Sequence, residues 1–285
     1  YPAETKMELI NKNGEVNNGA HFENAVAQQL TANGFTPYFC KKKNIGEMDF
    51  VIEMNGKVVP IEVKSDKAVV LTTSNLLNTV KAINSRCKCD SDDRVLAQIS
   101  LHHIFGLAYS LLWPLTKGAC VCVGRGLRHI DADTYYYNAT ILPGTPSMIK
   151  YLKKVKAFNK ELRTIVIGGA TCPYRLFEKL MDRDYEVYSI YGMTECSGCI
   201  AISNHLDGSY DIYDGTQVTL SADGEILVSG PCVMAGYDKD EDTNKKVIQN
   251  NVYHTGDYGH FNHDGRLVLD RRNNKAVPPR QLYHQ

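Results

Sequence analysis

Residues 162–180 read Leu-Arg-Thr-Ile-Val-Ile-Gly-Gly-Ala-Thr-Cys-Pro-Tyr-Arg-Leu-Phe-Glu-Lys-Leu. Every residue from Thr164 to Ile167 is β-branched, without polar alternation, as a strand buried on both faces requires. A Gly-Gly turn and an amphipathic helix follow. A doubly buried strand feeding a helix is the unit of an α/β fold, in which helices cover a sheet. Residues 94–124, "RVLAQISLHHIFGLAYSLLWPLTKGACVCVG", repeat the theme as strand, helix and strand. Residues 187–198, "VYSIYGMTECSG", give a strand running into a glycine turn. Downstream, "DGEILVSGPCVMAGY" and "YHTGDYGHFNHDGRLVLDRR" read as β-rich elements.

Hydrophobic residues make up 43% of the 285, enough for a sizeable core. The net charge is zero, so nothing global attracts nucleic acid or a membrane surface. The longest apolar run, Ile104 to Leu115, is too short to span a bilayer and contains Pro114. The start at Tyr1 reads as a fragment or a processed end. Nine cysteines at irregular spacing do not form a secreted disulfide framework. The close pairs Cys87/Cys89, Cys120/Cys122 and Cys196/Cys199 read as reduced structural thiols, and a cytoplasmic location is the default.

The N-terminal segment has its own pattern. Phe22, Val26 and Leu30 recur every four residues, predicting a helix over 18–34 that stops at Gly34. "MDFVIE" (48–53) and "VVPIEVK" (58–64) predict a hairpin. On it, Glu62 and Lys64 share a face. Asp on one strand and Glu-x-Lys on its partner gather two hard oxygen ligands and an ammonium, a set suited to Mg²⁺ and water activation. This resembles the PD-(D/E)XK nuclease fold, most closely the C-terminal nuclease-like domain of prokaryotic AAA-type ATPases, over about residues 6–66. The resemblance implies Glu23, Asp49 and Glu62 as acidic metal-site residues and Lys64 as the catalytic lysine. Eight Lys/Arg against nine Asp/Glu over residues 1–67 give no basic DNA-binding face.

From Lys67 to about residue 275, "YGMTE", "GEILVSGPCVMAGY" and "HTGDYGHF" in that order resemble the adenylate-forming superfamily, with a flavour of fatty acyl-CoA ligases. The implied fold is α/β: a truncated large domain of sheet layers plus a small β-rich subdomain, preceded by a partial restriction-endonuclease-like module. The implied chemistry joins a carboxylic acid to coenzyme A using ATP and Mg²⁺, with AMP released. Gly168, Gly169 and Ala170 match the turn against adenine, and Tyr191 the aromatic stacked on it, followed by Gly192. Thr194 matches a phosphate-contacting hydroxyl and Glu195 the Mg²⁺ ligand. Asp257 matches the acceptor of the ribose hydroxyls, Arg271 lies near the hinge arginine, and His103 matches the residue beside the acyl carboxylate.

The two segments meet at "IEVKSDKAVVLTTSNLL" (61–77). In the superfamily, a Ser/Thr/Gly-rich phosphate loop ending in Lys precedes such a phrase. Here the end of the nuclease-like motif stands in its place, as a gene fusion, recombination or assembly error would leave it. After Arg272 the chain reads "NNKAVPPRQLYHQ", of which 276–285 is a tail, where the family continues to a lysine-bearing domain. The expectation is a core with adenine and ribose contacts but little turnover. It also includes two lobes joined at Lys67, with self-association through cut cores. The alternatives are an ATPase-associated nuclease-like module with a passenger tail, or a non-catalytic nucleotide-binding fragment.

Overall fold

The computed structural model describes Thr36 and residues 38–42, 46–54, 57–61, 68–183 and 185–272. The chain divides into two compact units, residues 1–67 and 68–285. In the first unit, β1 (Tyr38–Lys42), β2 (Gly46–Met54) and β3 (Lys57–Ile61) form an antiparallel sheet in that order. Phe50 lies opposite Ile61 and Met54 opposite Lys57. Asp49 therefore sits on the central strand. The helix expected over 18–34 with Glu23, and Glu62 and Lys64, lie outside the described residues.

The second unit begins with β4 (Val69–Val70) and α1 (Thr73–Arg86). The phrase Thr72-Thr-Ser-Asn75 is a helix start with a purpose. Thr72 Oγ1 accepts from the Asn75 amide, while Asn75 Oδ1 accepts from the Thr72 amide. This reciprocal cap satisfies the first helical donors. The Asn75 Nδ2 group then donates to Pro231 O at 2.8 Å and Val233 O at 2.9 Å. One amide thus caps the helix and ties it to a distant turn.

Next come β5 (Arg94–Ala97), a π-helical run (Gly106–Leu112), α2 (Trp113–Thr116), β6 (Cys120–Val123), α3 (Ile130–Tyr136), β7 (Ile141–Gly144), α4 (Pro146–Lys154), β8 (Thr164–Ile167), α5 (Tyr174–Met181) and β9 (Glu186–Tyr191). The short strands β10 (Ala201–Ser203) and β11 (Asp211–Ile212) follow. These strands form a seven-stranded sheet in the order β11-β10-β9-β8-β7-β5-β6, parallel from β9 to β6. Alternate residues of each parallel strand enter opposite cores. Val95, Ile141, Val166 and Tyr188 pack with Ile83 of α1 and with Phe105, Tyr109 and Trp113. Leu96, Leu142, Ile165 and Val187 pack with Ile130, Ile149 and Leu180 of the helices on the other face. That two-sided burial is why these strands lack polar alternation. The edge strand β6 leaves Cys120 and Val123 exposed.

The β-rich remainder comprises β12 (Gln217–Leu220), β13 (Glu225–Ser229), β14 (Gly236–Tyr237), α6 (Glu241–Val247), β15 (Ile248–Gln249), β16 (Val252–Phe261) and β17 (Leu267–Arg272). The second sheet runs β12-β13-β16-β15, with β17 on β16, while β14 pairs with β4. A third core, built on Tyr191, Met193, Ile226, Val228, Tyr253 and Leu267, joins it to the end of β9. No helix among the described residues is long and apolar enough to cross a membrane.

At the N-terminal ends of the parallel strands, the buried Asp93 carboxylate accepts from Thr140 Oγ1 at 2.7 Å, from the Asp90 amide at 2.9 Å and from Arg163. Burial pushes its pKa up, but the bonds from Thr140, Asp90 and Arg163 outweigh it, leaving the carboxyl below its usual range. Stabilisation from a depressed carboxyl is present above its unfolded value of about 4 and is lost as pH falls through the folded value. Asp93→Asn should therefore flatten the loss of stability between about pH 5 and 2. Denaturant midpoints across that range check this, and slopes matching the parent would remove Asp93 from the acid transition.

Candidate nucleotide site

Strand order in the parallel sheet reverses between β5 and β7, whose connections lead to opposite sides, and α/β folds bind ligands beyond the carboxyl ends of strands at such a point. The segments leaving β5, β7, β8 and β9 gather there. After β8, Gly168 is buried while Gly169 and Ala170 are exposed. A Cβ on Gly168 would meet the Phe105 ring at 2.9 Å, so glycine lets the two segments close up. His103 lies just before this phenylalanine. It is exposed, and its Nδ1 accepts from the Phe105 amide at 3.3 Å. The Thr145 side chain, following β7, caps α4.

After β9 the chain makes a tight loop with a 3₁₀ turn at Thr194–Cys196. A Cβ on Gly192 would stand 2.3 Å from Gly198 O, so this crossing excludes any other residue without backbone movement. Three contacts clamp the loop from outside. Thr79 Oγ1 of α1 donates to Ser197 O at 3.2 Å, Ser197 Oγ donates to Cys232 O at 2.8 Å, and the Met234 amide donates to Glu195 O at 2.8 Å. The half-buried Glu195 Oε1 accepts from Tyr237 Oη at 3.1 Å.

Tyr191 Oη donates to Asp257 Oδ2 at 2.9 Å, across 66 residues of sequence. Burial first, and then the Asp257 carboxylate, push the Tyr191 phenol well above its usual pKa. Tyr191 is thus a neutral donor that holds one carboxylate oxygen of half-buried Asp257. Only 9% of Tyr191 is exposed, and Tyr210 meets its ring edge-on at 6.4 Å. Arg271 stands on β17 opposite Tyr258, the neighbour of Asp257.

The residues expected from sequence in the second unit therefore come from five elements to one end of the sheet and the adjoining β16–β17 pair. Asp49 belongs to the first unit. Three partners were missed by sequence reasoning: Phe105 against Gly168, Tyr237 on Glu195, and Asn75 on the 231–233 turn. Tyr237 closes the "GPCVMAGY" phrase, which was legible as a motif but carried no role. Among the described residues, no group of three or more His, Cys, Asp or Glu gathers to hold a metal ion.

A family model described as AMP-binding enzyme matches residues 66–238. A second, described as a domain of unknown function (DUF4143), matches residues 18–101. The 2-succinylbenzoate–CoA ligase of Oceanobacillus iheyensis is 35% identical over 208 residues, covering 65% of this chain and 42% of the ligase. The chain spans about half the length of the curated relatives it matches. Among solved structures, the Bacillus subtilis O-succinylbenzoate coenzyme A synthetase in complex with ATP and magnesium ion has TM-score 0.63 and 26% identity, covering 72% of this chain and 47% of that one. A fatty acyl-CoA synthetase from Mycobacterium tuberculosis shares the fold at TM-score 0.66 and 18% identity, covering 80% of this chain and 48% of that one. With more than half of its length matched, the chain belongs to the AMP-binding enzyme family.

Proposed function

We propose that residues 68–272 are the adenine- and ribose-binding core of an AMP-forming acid–thiol ligase, which activates a carboxylate with ATP and passes the acyl group to coenzyme A. The Tyr191–Asp257 bond, which joins the carboxyl end of β9 to β16 in a chain of this family, carries the reading. A carboxylate fixed by a neutral phenol is an oriented acceptor for vicinal ribose hydroxyls. Gly169 and Ala170 offer little side chain against a base, and Tyr191 is assigned to its aromatic face. Thr194 is the hydroxyl for phosphate. The single carboxylate of Glu195 fits Mg²⁺, which keeps several waters and takes phosphate oxygens for much of its shell. Bound there, Mg²⁺ would supply charge neutralisation at the phosphates. His103 and Arg271 are assigned to the acyl carboxylate and the ribose edge.

The acid is read only as a carboxylic acid, because the matched proteins are named for 2-succinylbenzoate and for fatty acyl groups alike. A test panel includes both classes. We read the first unit as a partial nuclease-like module, supported by its antiparallel meander and the separate family match over 18–101.

Calorimetric titration with AMP tests the core. Binding is expected for the whole chain, with Asp257→Ala at least about tenfold weaker because the ribose loses its charged acceptor. Tyr191→Phe, which removes the phenol's bond to the carboxylate but keeps the ring, should weaken binding less. Equal affinity in the parent and Asp257→Ala would remove the nucleotide from this site.

A further inference from the structure

Two buried cysteines sit in and beside the loop that carries Thr194 and Glu195. Cys196 lies inside the loop and is fully buried, while Cys232 follows the β13 strand and is 4% exposed. The backbone around them is fastened on both sides, through Met234 N to Glu195 O and Ser197 Oγ to Cys232 O. The two thiols share a hydrogen bond, and Thr216 Oγ1 donates to Cys232 Sγ at 3.6 Å. A cavity of about 10 Å³, room for roughly one water-sized molecule, is lined by Cys232, Cys199, Thr216, Asn78, Asp214 and Pro231. Two of the residues around this cavity, Asp214 and Pro231, are exposed, so it lies near the surface.

We propose that Cys196 and Cys232 form a reversible redox site, oxidised by hydrogen peroxide to a disulfide that ties the Thr194–Glu195 loop to the 231–234 segment. The Cys232 thiolate attacks one peroxide oxygen. The O–O bond breaks, leaving a sulfenic acid and a hydroxide that is protonated to water. The Cys196 sulfur then attacks the sulfenic sulfur. The S–O bond breaks, and the oxygen leaves as a second water with the Cys196 proton. Two thiols are oxidised, and one peroxide is reduced to two waters.

Cys232 is the attacking member on chemical grounds. The Cys196 thiol bond, opposed by burial and helped by Thr216, pulls it from 9.0 to about 7. At neutral pH such a thiol is thiolate to a much larger share than an unperturbed one, which titrates at about 8.5. Other thiols are pushed the other way: burial raises Cys199, which lines the same cavity, to about 12, and burial with Cys120 raises Cys122, on β6, to about 12. In a reducing compartment such a bond is transient, as sensing disulfides are.

The experiment uses the whole chain at neutral pH, with peroxide in slight excess and non-reducing peptide mapping. The expected product links Cys196 to Cys232, is reversed by dithiothreitol and forms while circular dichroism stays native. In Cys196→Ala, which cannot close the disulfide, dimedone should trap a sulfenic acid on Cys232, at least about tenfold faster than on Cys196 in Cys232→Ala, and the disulfide should still form in Cys120→Ser, which removes an exposed thiol. Mapping needs no AMP binding, so it stands apart from the nucleotide reading. Both cysteines staying reduced in the folded chain, or Cys232 linking to Cys199 instead, would overturn the proposal.

Discussion

Given ATP, Mg²⁺, coenzyme A and the acid panel, the 285-residue chain is expected to release no pyrophosphate above background, against about 10 per second for an ordinary enzyme. Phosphate cradles work through converging backbone amides, often at a helix N-terminus. The segment preceding β4 is Ile61-Glu-Val-Lys-Ser-Asp-Lys67, with two carboxylates and no glycine. The helix that follows offers no substitute. Its Asn75 amide is bonded to Thr72, and the Thr72 amide is bonded to Asn75. Each lost stabiliser of developing charge costs about 2.7–4 kcal/mol, or about 10²–10³ in rate. Losing several loop amides together should reduce turnover by about 10⁴ or more. AMP binding measured on the same preparation separates this loss from misfolding. Pyrophosphate release near 10 per second would show that Glu62–Lys67 or another segment serves as the phosphate site.

The α/β reading came from local patterns that have a direct physical cause. Thr164–Ile167 is β-branched because both faces of β8 are covered, and the structure places that strand on the same four residues. Thr194 and Glu195 follow β9 in the same way, since a strand-to-glycine turn is a local event. What stayed hidden joins residues far apart in sequence. Asn75 reaches the 231–233 turn, Tyr191 reaches Asp257, and Tyr237 reaches Glu195. No period or spacing encodes such pairs. The run 104–115 shows a third limit. Its apolarity reads as helix, yet Gly106–Leu112 winds with the wider π pitch. A Cβ on Gly106 would lie 2.3 Å from Ser100 O, so the helix start is pressed against the turn before it. That contact is tertiary, and π-helical segments mark such irregular packing.

The same helical run carries the residue whose loss should cost the second unit most. Trp113, the single tryptophan, is fully buried between α1 and the sheet. It meets Tyr109 edge-on at 6.5 Å, and Tyr109 meets Phe105 at 5.1 Å. Phe105 in turn packs on Gly168, so this aromatic column runs from the core to the candidate site. Trp113→Ala should destabilise the chain by about 3–5 kcal/mol, since both the lost transfer energy and the cavity count. For a unit of this size that lowers the melting temperature by about 10 °C. Trp113→Phe should behave differently. The indole Nε1–H has no hydrogen-bond partner among the described residues. Removing an unsatisfied buried donor recovers about 1–3 kcal/mol, offsetting much of the lost packing. Tyr136→Ala, at a residue 74% exposed, serves as the surface control and should stay within about 0.5 kcal/mol. Far-ultraviolet circular dichroism is the proper probe, because the substitutions at 113 delete the tryptophan fluorophore. A Trp113→Ala chain melting within a degree or two of the parent would mean that this column relaxes to fill the space and does not stiffen the site above it.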